Sequence, residues 1–141
     1  MIKNLIKMLH DGNHSLVVGN GDTSMIFDGR GVSDLYRLYT ESPEMLNGAS
    51  VADKIVGKGA AALMSLGGVR QVYADVISTA ALKLLRSNNV EVSFADEVPN
   101  IINRAGTGVC PVEILCKHCA TAAECLPLIT DFLMKMKKSN K

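Results

Sequence analysis

The chain has 141 residues, enough for one domain with a sizeable hydrophobic core and too few for two such domains. Its apolar fraction of 48% and charged fraction of 21% are ordinary for a globular protein. Fifteen Lys and Arg residues nearly balance fourteen Asp and Glu residues, so the net charge of +1 favours neither nucleic acid nor a membrane surface as a partner. We expect a single domain over residues 1–141.

The first 12 residues predict a helix, because Ile2, Leu5, Ile6 and Leu9 recur at the spacing of one helix face. The segment lacks the continuous apolar stretch of a secretory signal. No apolar run elsewhere approaches the roughly 20 residues that a membrane span needs. We therefore expect a cytoplasmic protein whose four cysteines are reduced thiols.

The segment after this helix predicts a β-hairpin. Residues 15–18 and 23–27 are short β-rich runs, and the Gly-Asn-Gly-Asp sequence at 19–22 is typical of a tight turn between strands. A helical stretch then begins at Ser33 and ends before Pro43.

Residues 50–68 predict a second long helix and are the most informative stretch of the chain. Ser50 is a good N-cap, and Asp53 three residues later fits the reciprocal capping arrangement. Gly67 and Gly68 supply the left-handed residue that ends many helices. The middle of the segment consists almost entirely of small residues.

The second half of the chain alternates strands with helices. We expect a strand over 69–77, a helix over 80–86 capped by Ser78 or Thr79, and a strand over 90–94. A hairpin followed by this alternation predicts an α/β domain. Its sheet is expected to be mixed, with four to five strands and with helices on both faces.

The C-terminal part, residues 111–138, predicts a helical segment that is broken near 120–121. Pro111 suits the first helical position, and Cys110 then stands at the cap. A thiol at a helix N-terminus can become nucleophilic, and Glu113 would be a neighbouring acid. The alternative is a buried, inert cap residue at 110 with Glu113 capping the same helix.

Ligands of α/β sheets bind outside the strand C-terminal ends, beside helix N-termini. This rule brings the helix starts predicted at Ser50 and at Ser78–Thr79 close together. Lys54 and Lys58 are four residues apart, so on a helix they share a face and would add positive charge. The interpretation is a pocket for an anionic ligand; the alternative is solvated lysines and small residues that permit tight packing.

Four segments carry a resemblance to a known family: residues 52–62 (ADKIVGKGAAA), 72–76 (VYADV), 98–104 (VPNIINR) and 110–113 (CPVE). They resemble an uncharacterised bacterial domain of unknown function that has a cytidine deaminase-like fold. The resemblance spans roughly residues 15–113. It implies a three-layer α/β/α arrangement and does not imply a reaction.

Zinc deaminases need a His or Cys followed by a Glu at one helix start, and Pro-Cys-x-x-Cys at the next. The corresponding segments here are 54–59 and 78–81, which contain neither His, Cys nor Glu. We therefore expect no metal and no cofactor, and zinc-dependent deamination is disfavoured. Cys116, Cys119 and Cys125 do not change this expectation, because a continuous helix would bring only two of their thiolates together.

Three functions remain open. In the first, a zinc-free domain binds a nucleotide-like or other anionic small molecule. The ligand-binding candidates are then Asp53, Lys54, Lys58, Ser78, Thr79, Asn103 and Arg104. The second is a thiol- or acid-dependent enzyme that uses Cys110 and Glu113. The third is a non-catalytic homo-oligomer assembled through helix faces rich in Ala, Leu and Met.

Overall fold

The computed structural model of the protein describes residues 1–29, 32–102 and 106–139. For residues 138 and 139 it describes the backbone only. The strands are β1 Leu16–Asn20, β2 Thr23–Phe27, β3 Ser50–Val56, β4 Gln71–Ser78 and β5 Glu91–Val98. The helices within these ranges are α1 Ile2–Asp11, α2 Ser33–Glu41, α3 Pro43–Leu46, α4 Lys58–Gly67, α5 Thr79–Ser87, α6 Pro111–Cys116 and α7 Ala122–Ser139.

The strands form one mixed sheet in the order β2-β1-β3-β4-β5. β1 is antiparallel to both β2 and β3, whereas β3, β4 and β5 run parallel. The predicted hairpin and the predicted mixed sheet of four to five strands are therefore confirmed. The parallel strands β3, β4 and β5 are joined through α4 and α5, because a parallel pair needs a long crossover.

Helices cover both faces of the sheet, as predicted. On one face, Leu5 and Leu9 of α1 pack against Val17 and Ala52 in a small apolar cluster. The main core lies on the other face, where α4 is central and contributes residues with no exposed surface, such as Leu63. α7 packs on the outside of α4. No helix in the described ranges has both the length and the apolar character needed to cross a membrane.

The predicted helix over 50–68 is wrong in its first half, because residues 50–56 form β3. This strand lies between β1 and β4, and Val51 pairs with Val18 on one side and Val72 on the other. A central strand with both faces covered is apolar on both faces, so its sequence lacks the alternation that identifies a strand. Ser50 is therefore not a helix cap, and Asp53 is not part of a capping box.

The helical half of that segment begins after Gly57, which is the N-cap of α4. Its predicted end is confirmed, since Gly68 is the C-cap and has a left-handed φ of 82°. The break near 120–121 is also confirmed, because it falls between α6 and α7. α5 and its cap follow the prediction: the Ser78 hydroxyl accepts a hydrogen bond from the N–H of Ala81.

Candidate functional site

A groove of about 710 Å³ opens beside the C-terminal end of β3. This volume is typical of sites for small organic ligands, and the place is where α/β sheets usually bind them. Its walls are mostly apolar and come from α2, α6, α7 and the segment before α6. The apolar side chains that line it include Val32, Ile101, Val112, Phe132, Leu133 and Met136. The groove therefore offers an apolar enclosure with few polar groups.

Asp53 is the buried polar side chain that lines this groove. Its exposed fraction is 8%, and Oδ1 accepts a hydrogen bond from the N–H of Ile55 at 3.3 Å. Burial raises the pKa of the Asp53 carboxyl to about 7, and the negative charge of Asp75 adds to the increase; the N–H groups of Ile55 and Lys54 oppose it. Near neutral pH this carboxyl therefore exists in both protonated and ionised forms.

Lys54 also lines the groove, but its ammonium group is used elsewhere: it donates a hydrogen bond to the side-chain oxygen of Asn13. Because Lys54 is on β3 and Lys58 on α4, the shared helix face predicted for these lysines does not exist.

Lys58 is buried, with an exposed fraction of 8%, and it does not contribute charge to the groove. Its Nζ donates to the backbone oxygen of Cys119 at 2.6 Å and to that of Lys117 at 3.3 Å. A cation is favourable there because the carbonyl groups at a helix C-terminus carry partial negative charge. Lys58 therefore stabilises the end of α6.

Glu113 connects two helix starts. Its Oε1 accepts hydrogen bonds from the Lys58 N–H at 2.6 Å and from the Ser78 hydroxyl at 3.2 Å, and its Oε2 accepts one from the Ile101 N–H at 3.0 Å. Two helix N-termini do meet, as the sequence predicts, but the first of them is at Lys58 instead of Ser50. The space between them is occupied by the Glu113 carboxylate.

The remaining candidates lie in different places. Cys110 is the N-cap of α6, is partly buried and lines the groove. Thr79 is exposed and donates hydrogen bonds to Glu97 at 2.9 Å and to the carbonyl of Val98 at 3.3 Å. Asn103 and Arg104 lie outside the described residues. The structure thus places Asp53, Lys54 and Cys110 at the groove, and Lys58, Ser78 and Glu113 in a buried network beside it.

The sequence profile of a family described as TM1506, a domain of unknown function (DUF1893), matches residues 4–133. The chain belongs to the DUF1893 family.

The DUF1893 chain is similar to a solved structure, the crystal structure of a DUF1893 family protein (TM1506) from Thermotoga maritima at 2.70 Å resolution. The two share 26% sequence identity over 93% of this chain and 91% of that chain, with a TM-score of 0.82. A comparison with curated proteins found no match. These findings support the resemblance to a domain of unknown function; they do not confirm a cytidine deaminase-like fold.

Sequence reasoning missed two features of this DUF1893 domain. The first is the groove wall from α7, where Phe132 and Leu133 lie far along the chain from the rest of the site. The second is the clustering of cysteines, because Cys125 of α7 lies beside Cys116 of α6 only after the two helices fold back on each other. The spacing of the apolar residues in 122–136 was the sequence signal that one side of α7 faces the groove. Within the described ranges, no group of three or more His, Cys, Asp or Glu side chains is arranged to hold a metal ion.

Proposed function

We propose that this domain binds a small organic molecule whose apolar or aromatic body fills the groove and whose hydrogen-bonding group meets Asp53. The supporting observation is a carboxyl that is 8% exposed on the wall of an apolar groove. Burial of such a group is costly unless it is hydrogen-bonded, and the Ile55 N–H at 3.3 Å is a long hydrogen bond. A polar group of a ligand would add a further hydrogen bond to this carboxyl.

A nucleotide-like ligand is still within this proposal, but its base or nucleoside part is favoured over its phosphate. The volume of about 710 Å³ lies within the range of small-molecule sites. The ammonium groups of Lys54 and Lys58, which the anionic interpretation relied on, bond to Asn13 and to backbone carbonyls. A phosphate at the groove would also meet the Asp53 carboxyl.

Proton transfer on the bound molecule is a second candidate function, and the pKa of Asp53 favours it. A general acid or base works best when its pKa lies near the operating pH, and that of Asp53 is raised to about 7 by burial. A thiol enzyme that pairs Cys110 with Glu113 has less support. Both carboxylate oxygens of Glu113 already accept backbone N–H groups, one from Lys58 and one from Ile101.

We also propose that the domain has a cytidine deaminase-like scaffold and that it assembles into homo-oligomers. The scaffold is supported by a five-stranded mixed sheet whose edge is a hairpin and whose two faces carry helices. Assembly is supported by exposed apolar side chains such as Ile114 and Met134, with exposed fractions of 58% and 59%. Light scattering tests assembly, and a monomer at all concentrations would contradict it.

Ligand binding is tested by thermal unfolding against a panel of nucleobases, nucleosides and nucleotides. We expect at least one uncharged member of the panel to raise the unfolding temperature of the natural chain. The same compound should not stabilise a Leu133→Trp variant, in which the larger side chain narrows the groove. The matched control is Met134→Trp, one residue further along α7 on an exposed position outside the groove. Equal stabilisation of both Trp variants would overturn the proposal.

The contribution of Asp53 is tested separately with Asp53→Asn, for which Asp96→Asn at an exposed position of β5 is the control. Loss of binding only in the Asp53 variant would support the proposed contact. If the Asp53 variant binds normally while Leu133→Trp does not, the groove is the site and Asp53 is not the anchor.

A further inference from the structure

Three of the four cysteines meet where α6 ends and α7 begins. Cys116 and Cys125 are fully buried in the main core, and Cys119, between the two helices, packs against the same core while remaining partly exposed. The fourth, Cys110, stands at the other end of α6. The cluster therefore joins thiols from two helices and the turn between them.

Hydrogen bonds to backbone carbonyls hold this turn in place. The N–H of Cys119 donates to the carbonyl of Cys116 at 3.0 Å, and the Cys125 thiol donates to the carbonyl of Thr121 at 3.6 Å. The Lys58 ammonium group bonds the carbonyl of Cys119 at 2.6 Å. A fixed positive charge thus lies beside thiols whose ionised form is negative.

The three thiols act on one another's protonation. The Cys125 thiol hydrogen-bonds to Cys116, which lowers the pKa of Cys116 and raises that of Cys125. Burial raises the pKa of Cys119, and hydrogen bonding to Cys125 raises it further. The positive charge of Lys58 lowers the pKa of all three thiols, so it adds to the decrease at Cys116 and opposes the increases at Cys119 and Cys125. Cys125 is therefore the thiol in contact with both of the others.

We propose that Cys119 and Cys125 form a reversible disulfide by exchange with a low-molecular-weight disulfide. Cys119 reacts first because it is the partly exposed member of the three, and an external disulfide must reach the attacking sulfur. Cys125 reacts second because it is the buried neighbour of Cys119. Cys116 stays reduced beside the new bond.

The exchange balances in two steps. The Cys119 thiolate attacks one sulfur of the external disulfide, which forms a mixed disulfide and releases the first small thiolate. The Cys125 thiolate then attacks the Cys119 sulfur, which forms the internal bond and releases the second small thiolate. The two protons of the protein thiols end on the two released thiolates, and the external disulfide is the oxidant.

The bond would tie the turn after α6 to the first turns of α7. Both helices supply walls of the groove, through Val112 of α6 and Phe132 of α7. The disulfide therefore joins two elements that shape the groove, although its formation does not depend on whether the groove binds a ligand.

The test is incubation of the fully reduced, folded protein with glutathione disulfide near neutral pH, followed by intact mass and peptide mapping. We expect the loss of two hydrogen atoms and a Cys119–Cys125 linkage that dithiothreitol removes. Cys125→Ser should stop at a mixed disulfide on Cys119, and Cys119→Ser should abolish the reaction. Cys110→Ser should react as the natural chain does.

Far-UV circular dichroism shows whether each variant is folded, and the mapping of the natural chain needs no variant at all. A first modification at Cys110, a linkage that includes Cys116, or no reaction of the folded natural chain would each overturn the proposal. Rapid oxidation that occurs only in urea would also overturn the proposal, because it would show that the oxidant does not reach these thiols in the folded protein.

Discussion

The carboxylate of Glu113 accepts a hydrogen bond from the backbone N–H of Lys58 at 2.6 Å across a sequence separation of 55 residues. Lys58 is the first residue of α4, and the N-cap of that helix, Gly57, has no side chain to satisfy the free N–H groups. Glu113 of α6 therefore supplies the cap that α4 lacks. It also places negative charge at the positive end of the helix, which is favourable.

Replacement of Glu113 by Ala should be strongly destabilising. It leaves the N–H groups of Lys58 and Ile101 without their acceptor, and such buried groups cost about 1–3 kcal/mol each. We expect the free energy of unfolding to fall by about 3 kcal/mol, and by roughly half as much for Glu113→Gln, which keeps one acceptor oxygen. Urea unfolding followed by circular dichroism measures both. Glu91→Ala, at an exposed site, is the control, and an equal loss in it would contradict the capping role.

Lys58 and Lys54 should respond differently to replacement by Met. The Lys58 ammonium group is buried and bonds two carbonyls, so Lys58→Met should lower the free energy of unfolding by about 2 kcal/mol. Lys54 bonds Asn13 at an exposed site, and its replacement should change stability by no more than about 0.5 kcal/mol. Chemical denaturation of the two variants under identical conditions makes the comparison. Similar effects would show that Lys58 is not a structural cation.

Asp53 should make stability fall as the pH rises towards neutrality. Its pKa is about 7 in the folded protein and near 3.8 when unperturbed, so between these values the folded state holds a proton that the unfolded state has lost. The stability contribution of this proton is complete below about pH 4 and is lost as the pH rises through 7. Asp53→Asn does not titrate, so the stability of this variant relative to the natural chain should increase over that window by about 4 kcal/mol at most.

Urea midpoints at several pH values between 4.5 and 8 measure this difference. Asp96→Asn removes an exposed carboxyl and should show no such trend. If the difference in stability between Asp53→Asn and the natural chain stays constant with pH, burial does not raise the pKa of Asp53.

Gly59 should not tolerate a methyl group. A Cβ built at this position would overlap Cγ1 of Val112, and both residues line the groove. Alanine is the better helix former by about 1 kcal/mol, but overpacking costs about 1–3 kcal/mol, so Gly59→Ala should be net destabilising by about 1 kcal/mol. Thermal unfolding measures the change, and adding Val112→Ala should recover part of the loss from the clash. Gly108→Ala, which has open space around it, is the control.

Local sequence patterns were sufficient to predict most of the helices and strands. The spacing of Leu5 and Leu9 identified α1, and the turn sequence at 19–22 identified the hairpin. The cap of α5 was predicted to be Ser78 or Thr79, and it is Ser78. In these cases the deciding interaction lies within a few residues of the chain. The same reasoning failed for β3, because the burial of both its faces by distant elements removes the alternation that marks a strand.

By itself, the sequence determined the α/β class, the mixed sheet, the family resemblance and the residue types that the site could contain. The tertiary structure decided which of them share a site. Asp53 faces a groove because α2, α6 and α7 enclose it, and Lys58 faces carbonyls because α6 ends beside it. The physical reason is that burial and long-range hydrogen bonds, which set the pKa of Asp53 and the partners of Glu113, exist only once distant segments have packed together.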